Sequence, residues 1–185
     1  NIPFLPISLF KTHKVLINNK FESTIFMSSG TLGQVRSKHY IVDENLYINS
    51  SIKGFEHFYG NCEKYAILAL LPSYIEQGNS SLIFMVQNLM KKSKHKLNGF
   101  YLHNFSELKS TLSQLHKENQ KTILFGVSYA LLDFGIDFEI GFPELIVMET
   151  GGMKGRRKEM IRKELHAQIQ SIFSVEHVHS EYSMT

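Results

Sequence analysis

The stretch Tyr65-Ala66-Ile67-Leu68-Ala69-Leu70-Leu71, closed by Pro72, decides the fold class. An unbroken apolar run with no polar alternation suits a strand covered on both faces, as in a parallel sheet between helices. A buried helix is its alternative, since periodicity cannot separate the two over so short a run. The chain that follows favours the strand. Residues 82–92 read as a helix capped by Ser80 or Ser81, and Phe100-Tyr101-Leu102 as a short strand. Ser106 would open a helix whose Leu108, Leu112 and Leu115 share one face. Then come a strand at 122–125, a helix at 127–134 and a strand at 144–148 entered through Pro143. A long helix at 154–173 carries Ile161, Leu165, Ile169 and Phe173 at four-residue steps, and 175–179 closes as a strand. Strands alternating with helices imply right-handed crossovers and a mostly parallel sheet flanked by helices. The expected fold class is α/β.

Toward the amino end, residues 21–27 are short and half apolar, and 37–42 read as a second strand. The cluster Ser28-Ser29-Gly30-Thr31-Leu32-Gly33 joins them, so two strands linked by a hydroxyl- and glycine-rich loop is the simplest reading. With 43% hydrophobic residues over 185, the chain can bury a core without staples and is not a disordered tail. A single domain over 1–185 is expected. The lone cysteine, Cys62, excludes an internal disulfide and a cysteine-rich zinc cage and points to a reducing, cytoplasmic setting. No apolar run approaches the roughly 18–20 residues of a membrane span. A net charge of +3 gives no case for nucleic acid. The chain starts without Met and stops at Glu181-Tyr182-Ser183-Met184-Thr185, which suggests a piece of something longer.

Open α/β sheets bind ligands at the carboxyl ends of their strands, which makes three segments candidates. In Ser28-Ser29-Gly30-Thr31-Leu32-Gly33-Gln34-Val35-Arg36, glycine lets backbone N–H groups approach an anion, hydroxyls add donors and Arg36 adds charge. No Walker pattern is present, and a hairpin turn with a surface arginine is the plain alternative. Glu149-Thr150-Gly151-Gly152 leaves a strand for a helix, where paired glycines would let a flat ring lie against the backbone. Six basic residues in 154–163 suit either a nearby anion or a solvated face. The third segment follows the last strand, at 180–185. His177 and His179 would share a strand face and could hold a metal, although no third ligand is specified. Ser128, in Gly126-Val127-Ser128-Tyr129-Ala130, lacks the second glycine of a hydrolase elbow and is rejected as a nucleophile.

Taken in order, these segments resemble a known family. Ser28-Ser29-Gly30-Thr31-Leu32-Gly33 resembles the phosphate loop of acyl-adenylate-forming enzymes, and His179-Ser180-Glu181-Tyr182-Ser183-Met184-Thr185 resembles their Tyr-Gly-x-Thr-Glu motif. Between them, Leu145-Ile146-Val147-Met148-Glu149-Thr150-Gly151-Gly152-Met153-Lys154-Gly155-Arg156-Arg157 is similar to the adenine-side segment of the acyl-protein synthetase (LuxE-type) branch, and 3–11 and 125–134 also resemble that family. The resemblance implies the core of the N-terminal domain of an adenylate-forming enzyme, with a hairpin phosphate loop and without the mobile C-terminal domain. It implies ATP-dependent activation of a long-chain fatty acid to acyl-AMP, then transfer of the acyl group to a protein thiol. By motif, Ser28, Ser29, Gly30, Thr31 and Gly33 would hold the β- and γ-phosphates, with Arg36 as a loosely aligned basic residue. Thr150, Gly151 and Gly152 would line the adenine pocket, Tyr182 would stack on the ring, and Thr185 would donate to the α-phosphate as the catalytic residue. A glutamate that ligates Mg2+ would come next after Thr185. The apolar stretch 125–134 is suggested for the acyl chain.

Partners implied are a fatty acid and an acyl reductase or carrier, with self-association open. Leu32 replaces a threonine of the loop and Ser183 a glycine, and Cys62 is misplaced for an acyl-accepting cysteine. The expectation is a chain that binds nucleotide without turning over. An acyl-CoA ligase of the phenylacetate-activating type and a non-catalytic nucleotide-binding module are the alternatives.

Overall fold

The computed structural model describes residues 4–16, 20–28, 35–71, 79–151 and 160–181. Five parallel strands form the main sheet in the order β4-β3-β5-β6-β7. These are β3 (Ala66–Leu70), β4 (Gly99–Phe100), β5 (Thr122–Val127), β6 (Ile146–Thr150) and β7 (Val178–Glu181). A separate antiparallel pair, β1 (Thr24–Met27) and β2 (Lys38–Ile41), sets Thr24 opposite Ile41 and Met27 opposite Lys38. Helices α1 (Leu9–Thr12), α2 (Glu44–Tyr59), α3 (Ser81–Ser93), α4 (Phe105–Lys117), α5 (Ser128–Asp137) and α6 (Arg162–Phe173), with a 3-10 turn at Cys62–Lys64, complete the described elements. The expected α/β class with a mostly parallel sheet is the fold observed.

The opening stretch is β3, and every residue of it is buried. It lies between β4 and β5, so both edges are paired and both faces are covered. The chain steps outward from β3 to β4, returns across β3 to β5 and then proceeds to β6 and β7. Right-handed crossovers then place α3 on one face and α4, α5 and α6 on the other. Ring contacts agree. Tyr47 of α2 meets Phe84 of α3 at 5.8 Å, whereas Phe134 of α5 stacks on Phe173 of α6 at 5.5 Å and meets Phe105 of α4 edge-on. Reversal of direction at β3 makes the gap between β3 and β5 a topological switch point.

β4 is too short to serve all of β3, and Asn98 completes the edge. Its Oδ1 accepts from the Ile67 N–H at 2.8 Å, and its amide donates to the Met90 carbonyl at the end of α3. Ser93, also buried, donates to the Tyr65 carbonyl.

Several boundaries differ from the sequence expectation. Helix α2 has no counterpart in it, because the segment buries only Phe55 and leaves Leu46 and Phe58 in solvent. Its start is fixed by Asp43, whose carboxylate accepts from the Asn45 and Leu46 N–H groups. Asn104 rather than Ser106 caps α4, accepting from the Glu107 N–H while its own amide donates to the Glu107 carboxylate. Strands β6 and β7 begin later than expected. Residues 142–145 form a turn instead, and Ser174 in the left-handed region with Val175 N–H on the Gln170 carbonyl closes α6. Of the helix expected over 154–173, residues 162–173 form α6; Ile161, expected on its apolar stripe, is extended and exposed ahead of the first turn, and residues 152–159 lie outside the described residues.

Candidate functional site

All four long parallel strands point their carboxyl ends the same way, and the described parts of the three candidate segments gather there. Met27, at the end of β1, donates its N–H to the carbonyl of Asn79, just before α3 begins. Since α3 starts where β3 delivers the chain, this bond ties the hairpin tip to the carboxyl end of the sheet. Ser28 closes the base of the hairpin loop: its N–H donates to the Ser37 carbonyl, and its Oγ accepts from the Ser37 N–H at 3.0 Å. The hydroxyl proton of Ser28 keeps the freedom to donate to a ligand. Phe26 packs on Tyr47 and Phe84, so β1, α2 and α3 share one aromatic cluster.

Thr150 and Gly151 end β6. The Thr150 hydroxyl donates to the Glu181 carboxylate at 2.9 Å, bridging β6 to β7 at register partners. Gly151 is exposed with φ at +70°, a backbone conformation that suits glycine and leaves no Cβ at the strand exit. Burial pushes the Glu181 carboxyl above its ordinary range, and the charge of Glu149 adds to the shift while the Thr150 bond opposes it. Burial, and after it the charge of Glu181, raises the Tyr47 phenol. Arg36 is exposed. Ser29, Gly30, Thr31, Gly33, Gly152, Tyr182 and Thr185 lie outside the described residues.

The strand ends also carry a buried polar cluster that sequence reasoning did not identify. Glu149 accepts from the Ser128 hydroxyl at 2.6 Å on one carboxylate oxygen and from the Ser180 hydroxyl at 3.2 Å on the other. Arg162, at the start of α6, donates to the Ser180 oxygen at 2.7 Å, and His166 Nε2 sits 3.5 Å from that oxygen and 3.9 Å from Glu149. A serine, a histidine and a glutamate in one place invite comparison with a hydrolytic triad. The geometry opposes it. His166 meets both Glu149 and Ser180 through the same ring nitrogen, whereas a triad uses opposite nitrogens. Ser128 is wholly buried with its proton on Glu149, in keeping with its rejection as a nucleophile. A signal was available in the sequence, since Glu149 directly follows the apolar run Leu145-Ile146-Val147-Met148.

Other candidates resolve into structural roles. His179 Nδ1 is 2.8 Å from the Tyr59 hydroxyl and His177 lies beside Glu176. Among the described residues, no group of three His, Cys, Asp or Glu could hold a metal. Cys62 is buried, directs its Sγ at the Leu89 carbonyl, and is pushed up to about 11 by burial and the nearby Glu56. At neutral pH it is a thiol, a poor nucleophile. Residues 125–134 are buried apart from half-buried Asp133 and belong to the packed core. A cavity of about 430 Å3 opens at the opposite, amino end of the sheet, between Tyr65, His116, Lys121, Phe142 and Glu144. Among the described residues, no helix is long and apolar enough to cross a membrane.

No family model, no curated protein and no solved structure matches this chain.

Proposed function

We propose that this chain carries the nucleotide-binding core of an ATP-dependent, acyl-adenylate-forming enzyme, which activates a fatty carboxylic acid and passes the acyl group to a protein thiol. The observation that supports the reading is the gathering of Ser28, Thr150–Gly151 and Glu181, the described parts of three ordered motifs, at the carboxyl end of one parallel sheet. Ligands of such sheets bind at that end.

The residues present fit a nucleotide in two respects. Ser28 offers a hydroxyl proton at the base of a loop, and Gly151 offers a strand exit without a Cβ. Glu149 and Glu181 would repel a triphosphate, which suits binding together with Mg2+, whose chemistry is to neutralise phosphate charge. Thr150 would line the pocket with its methyl group, since its hydroxyl is committed to Glu181. In the reaction, a carboxylate oxygen of the acid bonds to the α-phosphorus and pyrophosphate leaves, giving an acyl group with a good leaving group. The work asked of the protein is positioning anions and offsetting their charge.

Calorimetric titration of the folded chain with ATP and Mg2+, and separately with a non-hydrolysable acyl-adenylate mimic, tests the reading. Binding with Kd on the order of 0.1–1 mM for ATP is expected, corresponding to about 4–5.5 kcal/mol, without turnover. Gly152→Trp, placed by the motif assignment against the ring, should remove the heat. No heat with either ligand in a folded sample would refute the site.

A further inference from the structure

We infer that Glu149 is a positioning residue, holding the carboxyl ends of β5, β6 and β7 at a fixed spacing and so shaping the ring side of the proposed nucleotide site; the inference rests on the function proposed above. The backbone ladder aligns Gly126, Glu149 and Ser180 across β5, β6 and β7, and the last paired residues are Val127, Thr150 and Glu181. At these ends Glu149 ties all three strands together through its side chain. One oxygen takes the Ser128 proton at the first residue of α5, and the other takes the Ser180 proton one residue before the end of β7. The loop of β6 itself departs immediately after Glu149 and Thr150.

The cost of this arrangement argues for a use. The Glu149 side chain is only 12% exposed, and a buried carboxylate needs several bonds merely to offset its lost hydration. An apolar residue would fill a strand end more cheaply, as Met148 and Val147 do beside it. Directional bonds do what apolar contact does not: they fix distances. The groups facing the carboxylate are Ser128 from α5, Ser180 and Glu181 from β7, and His166 from α6, with Arg162 reaching Ser180 from behind. Arg162, reaching Ser180, brings a positive charge to the side of the cluster that holds the two acidic residues.

Glu149→Gln keeps the shape but can take a proton at only one of its two ends, and Glu149→Asp keeps the charge but is one methylene short of spanning both serines. Calorimetry with two probes separates positioning from mere stability. AMP depends on the ring pocket framed by β6 and β7, whereas inorganic tripolyphosphate depends on the 28–36 loop. For both variants AMP affinity should fall about tenfold, and for Ser180→Ala about threefold, with tripolyphosphate affinity and binding stoichiometry unchanged. Equal losses for both probes, or falling stoichiometry, would mean a structural role and overturn the inference. Wild-type affinity for both probes in all three variants would overturn it while leaving the proposed function intact. Failure of the wild type to bind either probe would remove both.

Discussion

Replacing Phe134 with alanine is expected to destabilise the protein by about 3–5 kcal/mol, the range for a large aromatic removed from a closed core. Phe134 is fully buried and is the point where three helices meet on one face of the sheet. Its ring stacks nearly parallel on Phe173 of α6, meets Phe105 of α4 edge-on, and packs on Phe138 at 5.3 Å. Alanine forfeits the burial and also leaves a void that these neighbours cannot all enter, because Phe105 and Phe173 are each held by a separate helix. For a domain of this size the loss corresponds to a fall in Tm of about 6–20 °C. Phe134→Leu should recover more than half of it. Thermal unfolding followed by circular dichroism decides the matter, and a fall below about 2 °C for the alanine variant would show that α4, α5 and α6 do not share this core.

Asn98→Ala should cost about 1–3 kcal/mol, through an unmet hydrogen bond rather than lost volume. It strands the Ile67 N–H, while the Met90 carbonyl loses the Asn98 amide but keeps the Lys94 N–H. Ile67 is fully buried on β3, so water has poor access to its amide. Asn98→Asp keeps the acceptor for Ile67 but loses the donation to Met90, and an intermediate loss is expected. Denaturant titration gives the energies. Hydrogen exchange gives the location: the Ile67 amide should lose protection in the alanine variant and largely keep it in the aspartate variant. Equal protection in both would place the Asn98 contribution elsewhere.

These two sites differ in how legible they were. The run around Ile67 was readable as a doubly covered strand because its burial on both faces leaves no polar position. Leu108, Leu112 and Leu115 announced α4 for the converse reason, one apolar stripe among polar residues. Asn98 gave no such sign, since its value comes from β4 being only two residues long. Helix α2 was missed because its sequence buries little and its exposed Leu46 and Phe58 blur any stripe. At the site, small residues and hydroxyls marked Ser28 and Gly151 as positions just past a strand, whereas Thr150, expected in the loop, is the last residue of β6. The Glu149 cluster was not legible as a unit. Ser128, Glu149, His166 and Ser180 are scattered along the chain and meet only because β5, β6 and β7 are adjacent and in register.

The central claim, that an adenine nucleotide binds at the carboxyl end of this sheet, is tested most directly by amide chemical-shift mapping. ATP with Mg2+ would be titrated into the isotopically labelled chain while backbone resonances are followed. The account predicts saturable shifts concentrated at 28–36, at Thr150–Gly152 and at 181–185, with Ser128 and Ser180 moving through their bonds to Glu149. Shifts centred instead on His116, Lys121 and Glu144 at the amino-end cavity, or no saturable shifts at all, would contradict it.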